Sequence, residues 1–320
     1  MICKICGNSK NNKEFQIREM MFGFRDEFTY FECSKCGCLQ IAKIPRNIGK
    51  YYPSNYYSFK KGESINFIKQ ILKRKRDNYA LFKKGLIGKV IYWKYPNPLL
   101  DMICRIGVNY NSRVLDVGCG AGNFLYSLRE IGFKNLVGVD PYIDKDVMNR
   151  DIKILKKTIH ELPDNQKFDL ITFNHSFEHI PDQLETLLKV RKILSEKGVC
   201  LIRMPVKTEY IWDRYGVNWV QIDAPRHFFI HTLKSFELLA EKSGLVIKDV
   251  IFDSTEFQFW GSEQYKRDIP LTAENSYSVN PKKSIFTEKQ IREFKKMANE
   301  LNKNKQGDQA CFYLMRSGIK

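Results

Sequence analysis

The stretch Ser112–Gly132, SRVLDVGCGAGNFLYSLREIG, decides the fold. It opens on the short apolar run VLDV. Glycines then stand at 118, 120 and 122, and apolar residues follow at helical spacing: Phe124, Leu125, Leu128 and Ile131. This predicts a strand, a tight turn and an amphipathic helix. The same alternation continues outward. NLVGVDPY (135–142) predicts a second strand ending in an acid, and DIKILKKTIHELP (151–163) a short third. KFDLITFNHSFEHIPD (167–182) predicts a fourth, and LETLLKVRKILSEKG (184–198) a helix stopped by Gly198. VCLIRMPV, LVIKDVIFD and ACFYLMRSG complete seven strands, with the helix LKSFELLAEKSG among them. Such alternation predicts an α/β fold, a Rossmann-like, mostly parallel sheet with helices on its faces. Ligands of such sheets bind at the carboxyl ends of the strands.

The turn also indicates its ligand. The order is Asp116-Val-Gly118-Cys119-Gly120-Ala-Gly122, not G-x-G-x-x-G. Asp116 falls where a dinucleotide's pyrophosphate would lie, and two like charges there repel. A cationic ligand is favoured instead. S-adenosylmethionine (SAM) carries an ammonium and a sulfonium and no phosphate. Asp140, ending the second strand, suits a ribose diol because a carboxylate can accept two hydrogen bonds.

The motifs VLDVGCGAGNF, VGVDP, ELP…FDLI and EHIPD resemble, in order and spacing, those of the class I SAM-dependent methyltransferases. The resemblance covers about residues 112–253. It implies that Asp116, Gly118, Cys119, Gly120 and Gly122 hold the methionine moiety. Asp140, with Pro141 after it, would hold the ribose. Thr158 and Ile159 would contact adenine, although the family often has Asp where this chain has Thr158. Asn174 and His175 would line the cavity near the sulfonium.

His175-x-x-Glu178-His179 also matches the inverted zinc-protease signature. That chemistry needs both histidines on one helix, whereas FDLITF reads as a strand ending at Asn174. The peptidase reading is therefore set aside. For Glu178 and His179 an architectural role and a catalytic one both stand.

Five cysteines cluster early, in CKIC (Cys3, Cys6) and CSKCGC (Cys33, Cys36, Cys38). Two C-x-x-C knuckles supply the four thiolates of a closed, structural zinc site. Cys3, Cys6, Cys33 and Cys36 are the expected ligands, with Cys38 able to replace Cys36. This module, the tyrosine-rich YYPSNYYSF (51–59) and the SAM domain together resemble the zinc-containing sugar methyltransferases. DAPRHFFIHT (223–232) resembles a segment of methyltransferases in surface-polysaccharide pathways and would set Arg226 and His227 over the acceptor. The resemblance implies a histidine base: His175 first, then His179, then His227. Tyr56 and Tyr57 would belong to a lid. The larger C-terminal domain of the sugar C-methyltransferases is missing from this pattern, which favours O-methylation.

The expected organisation is a zinc module (1–50), a basic linker or lid (51–110) and the methyltransferase domain (111–320), with an insertion at about 255–300. In that insertion, the aromatics of FQFWGSEQYKRDIPL (257–271) could stack on a sugar, and Lys266 and Arg267 could bind a carrier phosphate. The net charge is +17, and eleven Lys or Arg lie between Lys60 and Lys94. Such a basic, partly apolar segment suits an anionic membrane surface or nucleic acid. No membrane-spanning run and no signal-peptide core are seen, so a cytoplasmic enzyme touching the inner membrane face is expected. The acceptor would be a small-molecule or lipid-linked sugar. An RNA methyltransferase, a sugar C-methyltransferase and a non-catalytic scaffold are the rival readings.

Overall fold

The computed structural model describes residues 1–53 and 66–318. Tyr56 and Tyr57, expected to belong to a lid, and the start of the basic run lie outside the described residues. The chain divides into two compact units. One comprises Met1–Pro53, His175–Leu184 and Arg203–Phe312; the other Ser54–Asn174, Glu185–Ile202 and Tyr313–Lys320.

The first unit begins with three antiparallel strands, β1 (Lys13–Arg18), β2 (Glu27–Glu32) and β3 (Leu39–Ile41). One cysteine knuckle precedes β1 and the other lies between β2 and β3: Gly7 and Gly37 adopt positive φ, and their N–H groups bond back to Cys3 and Cys33 carbonyls. Both glycines are needed because a left-handed residue closes each knuckle.

The second unit opens with three helices, α1 (Phe67–Phe82), α2 (Leu86–Lys94) and α3 (Pro98–Cys104). Asn66 caps α1 by accepting the Lys69 N–H. The sheet then begins with β4 (Arg113–Val117), followed by α4 (Asn123–Ile131) and β5 (Asn135–Val139). A two-residue strand β6 (Val147–Met148), β7 (Ile152–Leu155) and β8 (Phe168–Asn174) follow. β4 pairs in parallel with both β5 and β8, and β5 with β7. Val114, Leu115, Leu136, Leu170 and Ile171 are buried, as continuous apolar runs in a two-sided sheet should be.

After β8 come α5 (Gln183–Ile193), β9 (Leu194–Pro205) and α6 (Glu209–Tyr215). Strand β10 (Phe229–Ile230) pairs with β3 and completes a small sheet in the order β1-β2-β3-β10. The chain continues through α7 (Leu233–Lys242), β11 (Leu245–Phe252), α8 (Phe257–Lys266), α9 (Glu288–Lys303) and β12 (Gln309–Arg316). The large sheet has the order β11-β12-β9-β8-β4-β5-β7-β6.

Among the described residues that sheet has eight strands, not the seven expected. The additional one is β6, which pairs antiparallel with β7 through Val147↔Ile154 and is too short to read from alternation. The helix expected to run to Gly198 ends at Ile193, and the next strand starts at once. Gly198 is not a helix stop. A Cβ there would approach the Phe168 carbonyl to 2.8 Å, so the glycine lets β9 lie close to β8. The aromatic stretch after Glu256 is helix α8, with Phe259 and Tyr265 buried and Arg267 paired with Glu263. Those two rings are core, not a sugar platform.

Candidate active site and cysteine cluster

The glycine turn follows β4 directly. Gly118, Gly120 and Gly122 all have positive φ, which a Cβ would oppose. Asp116 is buried at the end of β4, and its neighbour in register, Thr172, donates a 2.7 Å hydrogen bond to it. Burial raises the Asp116 carboxyl to about pKa 7, outweighing the Thr172 bond, and the Asp140 charge adds to the rise. Asp140, just past β5, accepts the Gly120 and Tyr142 N–H groups at 2.9 Å, one on each oxygen. It thereby ties the end of β5 to the glycine turn and keeps a lone pair on each oxygen for a further donor. Burial raises its pKa as well.

Two buried carboxylates on adjacent strand ends disfavour one another's charge, and a cation relieves both. An added pyrophosphate would worsen the repulsion. The donor set therefore fits SAM. Cys119 packs between the turn and β5: a Cβ on Gly138 would lie 2.6 Å from its sulfur. Pro141 is exposed, and Ile159 is buried. The Thr158 N–H and hydroxyl both donate to Glu161, at 2.7 and 2.8 Å, so this residue caps a short 3-10 turn. Asn174 is the last residue of β8.

The next residue, His175, starts a second constellation, in the other unit. Its φ is 53°, and only then does a 3-10 turn, Phe177–His179, begin. The two histidines of the protease-like motif thus share no helix. Arg203 donates to His175 Nε2 at 2.8 Å and to Asp253 at 2.6 Å. A guanidinium only donates, so His175 Nε2 accepts, and the ring proton sits on Nδ1, 3.6 Å from Glu178 Oε1.

Glu178 is fully buried, and neither of its carboxylate oxygens has a hydrogen bond. Burial works against its charge, but the imidazoles of His175, His179 and His227 prevail and hold its pKa at about 2. His179 Nδ1 lies 2.9 Å from the Arg226 carbonyl and 3.0 Å from the Tyr52 hydroxyl; burial lowers its pKa to about 4. His227 Nδ1 lies 2.8 Å from the Gln221 carbonyl, and its Nε2 lies 3.8 Å from both Glu178 and Asp223.

Arg226 does not reach outward to an acceptor. It is fully buried and bonds Asp223 at 2.6 and 2.9 Å, Glu19 at 2.9 Å and the Tyr51 carbonyl. Arg203, Glu19 and Asp223 were not singled out from sequence. The Asp223-x-x-Arg226 spacing was the one available hint.

Residues 92–250 match the model of a family described as a methyltransferase domain. The chain carries a class I SAM-dependent methyltransferase domain. The methyltransferase is 27% identical over 188 residues to a ubiquinone biosynthesis O-methyltransferase of Rickettsia bellii, covering 52% of this chain and 77% of that protein. It is 28% identical over 115 residues to a trans-aconitate 2-methyltransferase of Rhizobium etli, covering 34% and 44%. A solved SAM-dependent methyltransferase of Mesorhizobium loti superposes with a TM-score of 0.44 at 16% identity, covering 69% of this chain and 99% of that one.

The methyltransferase also gathers four thiols from its N-terminal knuckles. The sulfurs of Cys3, Cys6, Cys33 and Cys36 all lie within 4.8 Å of one another. Cys3 and Cys36 are 3.6 Å apart, Cys6 and Cys33 3.4 Å. Zinc–sulfur bonds of about 2.3 Å set tetrahedral sulfurs about 3.8 Å apart, so the set fits one ion with small adjustment. Cys38 is fully buried and directs its thiol at the Leu39 carbonyl. Thr232 closes the second knuckle from outside, donating 2.7 Å to the Cys36 carbonyl.

Proposed function

We propose that the methyltransferase O-methylates a sugar hydroxyl, on a nucleotide-linked or lipid-linked glycan precursor. SAM supplies an electrophilic methyl carbon and leaves as a neutral thioether. Asp116 and the glycine turn would hold its amino-acid end, and Asp140 its ribose. The acceptor hydroxyl would lose its proton at the constellation built on Glu178.

The single observation that carries the reading is that constellation. A buried carboxylate stands beside His175, His179 and His227, and it begins at the residue joined by a peptide bond to the end of β8. A sugar hydroxyl is weakly acidic and needs such a group, whereas transfer to an already nucleophilic amine does not. O-methylation is also the activity in the printed names of the ubiquinone-pathway relatives. The sugar class is supported by the four-thiol module preceding the SAM domain. We assign those thiols a structural zinc ion.

The test is transfer of labelled methyl from SAM to three pools: nucleotide-sugars with glycan precursors, a lipid extract and total RNA. Label in the glycan pool, recovered as a methyl ether, is the expected result. Label on a ring carbon would make this a C-methyltransferase. Label only in quinone-type lipids or only in RNA would overturn the sugar acceptor.

A further inference from the structure

Glu178 poses a problem that methyl transfer alone does not solve. A carboxylate wholly out of water and without a hydrogen bond is costly unless a charge lies against it. The charged groups around it do not balance. Glu19, Asp223, Glu178 and Asp253 contribute four carboxylates, and Arg226 and Arg203 two guanidiniums. Arg226 is spent on Glu19 and Asp223, and Arg203 on Asp253 and His175. Counting these carboxylates and guanidiniums alone, two negative charges are left over.

The imidazoles are oriented for the missing partner. A carbonyl oxygen can only accept, so His179 and His227 each carry the proton on Nδ1, facing the carbonyls of Arg226 and Gln221. Each Nε2 therefore keeps its lone pair. A ring N–H given to a backbone carbonyl, with the other nitrogen open, is the usual second bond of a metal-ligating histidine. One carboxylate oxygen of Glu178 and one nitrogen of each histidine lie within 4.8 Å of one another. Bonds of about 2.1 Å hold tetrahedral ligands about 3.4 Å apart, so each ligand would move by roughly 1 Å or less.

We propose that Glu178, His179 and His227 form a metal site, distinct from the cysteine cluster, for a divalent first-row transition ion. Two imidazoles and one carboxylate suit such an ion better than magnesium or calcium, which favour all-oxygen shells. A +2 ion also cancels the two unbalanced charges. Three protein ligands leave room for an exogenous oxygen. That this oxygen is the acceptor hydroxyl rests on the function proposed above; the site itself does not.

The experiment is equilibrium dialysis of the full chain against Co2+, followed by metal analysis, without SAM or acceptor. Wild type should retain one more Co2+ per chain than Glu178→Gln and His179→Asn, while Cys6→Ser keeps this equivalent. His179 is the least buried of the three ligands, so H179N decides the matter if E178Q does not fold. Equal Co2+ content in wild type and H179N would overturn the site. Because metal content is read without turnover, a negative result here leaves methyl transfer standing. Equally, a failed acceptor assay leaves the site standing.

Discussion

The Arg203 guanidinium lies 2.8 Å from Nε2 of His175 and occupies the lone pair that a general base would use. The other ring nitrogen carries its proton toward Glu178. Of the three histidines nominated from sequence, the first is therefore the one least able to take a proton. Its place is to position Glu178. Removing a general base costs about a hundred- to ten-thousandfold in rate. His175→Asn should cost less, on the order of tenfold, and should leave SAM affinity within about twofold of wild type. The pH–rate profile should keep its shape. Loss of its acid limb in this variant would make His175 the base after all.

Asp116 gives SAM binding a pH dependence of definite sign. Its pKa rises from 3.8 to about 7 on burial, so the empty site holds a proton below neutrality. A cationic ligand favours the carboxylate, and binding must then expel that proton. SAM affinity should fall as pH drops below about 7, by up to about tenfold per unit. The same shift acts on folding with the opposite sense. The native state keeps the proton that the unfolded chain releases, so this group's contribution to stability is lost as pH rises from about 4 to 7. Asp116→Asn should flatten both trends and weaken SAM binding at pH 8. Calorimetric titration with SAM across pH 6 to 8 reads the first trend, and thermal melts of the empty protein read the second. An affinity independent of pH in wild type would remove Asp116 from the ammonium site.

The sheet and the cofactor turn were legible because they rest on local patterns. Apolar runs, glycines at φ-positive positions and acids at two strand ends all lie within about thirty residues of each other. The cysteine cluster was legible for a similar reason, since ligand spacing within a knuckle is a short-range property. The Glu178 constellation was only half legible. Its histidines draw the eye, but their roles are set by Arg203, Asp223, Glu19 and the carbonyls of Gln221 and Arg226, which come from distant parts of the chain. Arg226 was misjudged for that reason: an arginine in a loop segment reads as a ligand-facing charge until its two carboxylate partners, Glu19 and Asp223, are seen. Gly198 was misjudged because helix stop and close strand approach leave the same letter.

The cysteine cluster gathers four thiols and leaves a fifth outside it. Cys38 is buried outside the set formed by Cys3, Cys6, Cys33 and Cys36. Cys38→Ala should therefore retain the thiolate-bound zinc, while Cys36→Ser should lose it. Because binding free energy at a structural site is folding free energy, C36S should also melt earlier, by on the order of ten degrees. Zinc released on thiol modification, measured beside the melting curves, checks both. Equal zinc in C36S and wild type would end the assignment.

Helix α2 turns its apolar side outward. Gly88 meets the backbone of α1 at Lys75, which fixes the inward face. Leu86, Val90 and Trp93, at i, i+4 and i+7, are then 83%, 72% and 91% exposed. Lys84, Lys89 and Lys94 flank that stripe. No helix among the described residues is long and apolar enough to cross a membrane. We propose that this exposed apolar stripe, edged with lysines, lies in the interface of an anionic bilayer. Each of these large side chains gains about 1.5–3 kcal/mol on full burial, and each lysine adds about 1 kcal/mol near an anionic surface. Partial insertion is enough for reversible binding. The full chain should float with phosphatidylglycerol vesicles at moderate salt and release as salt rises, because screening weakens the lysine term alone. Val90→Ser with Trp93→Ser should reduce binding at least tenfold without changing SAM affinity. If the wild-type chain stays in solution with these vesicles, the stripe serves something other than a membrane.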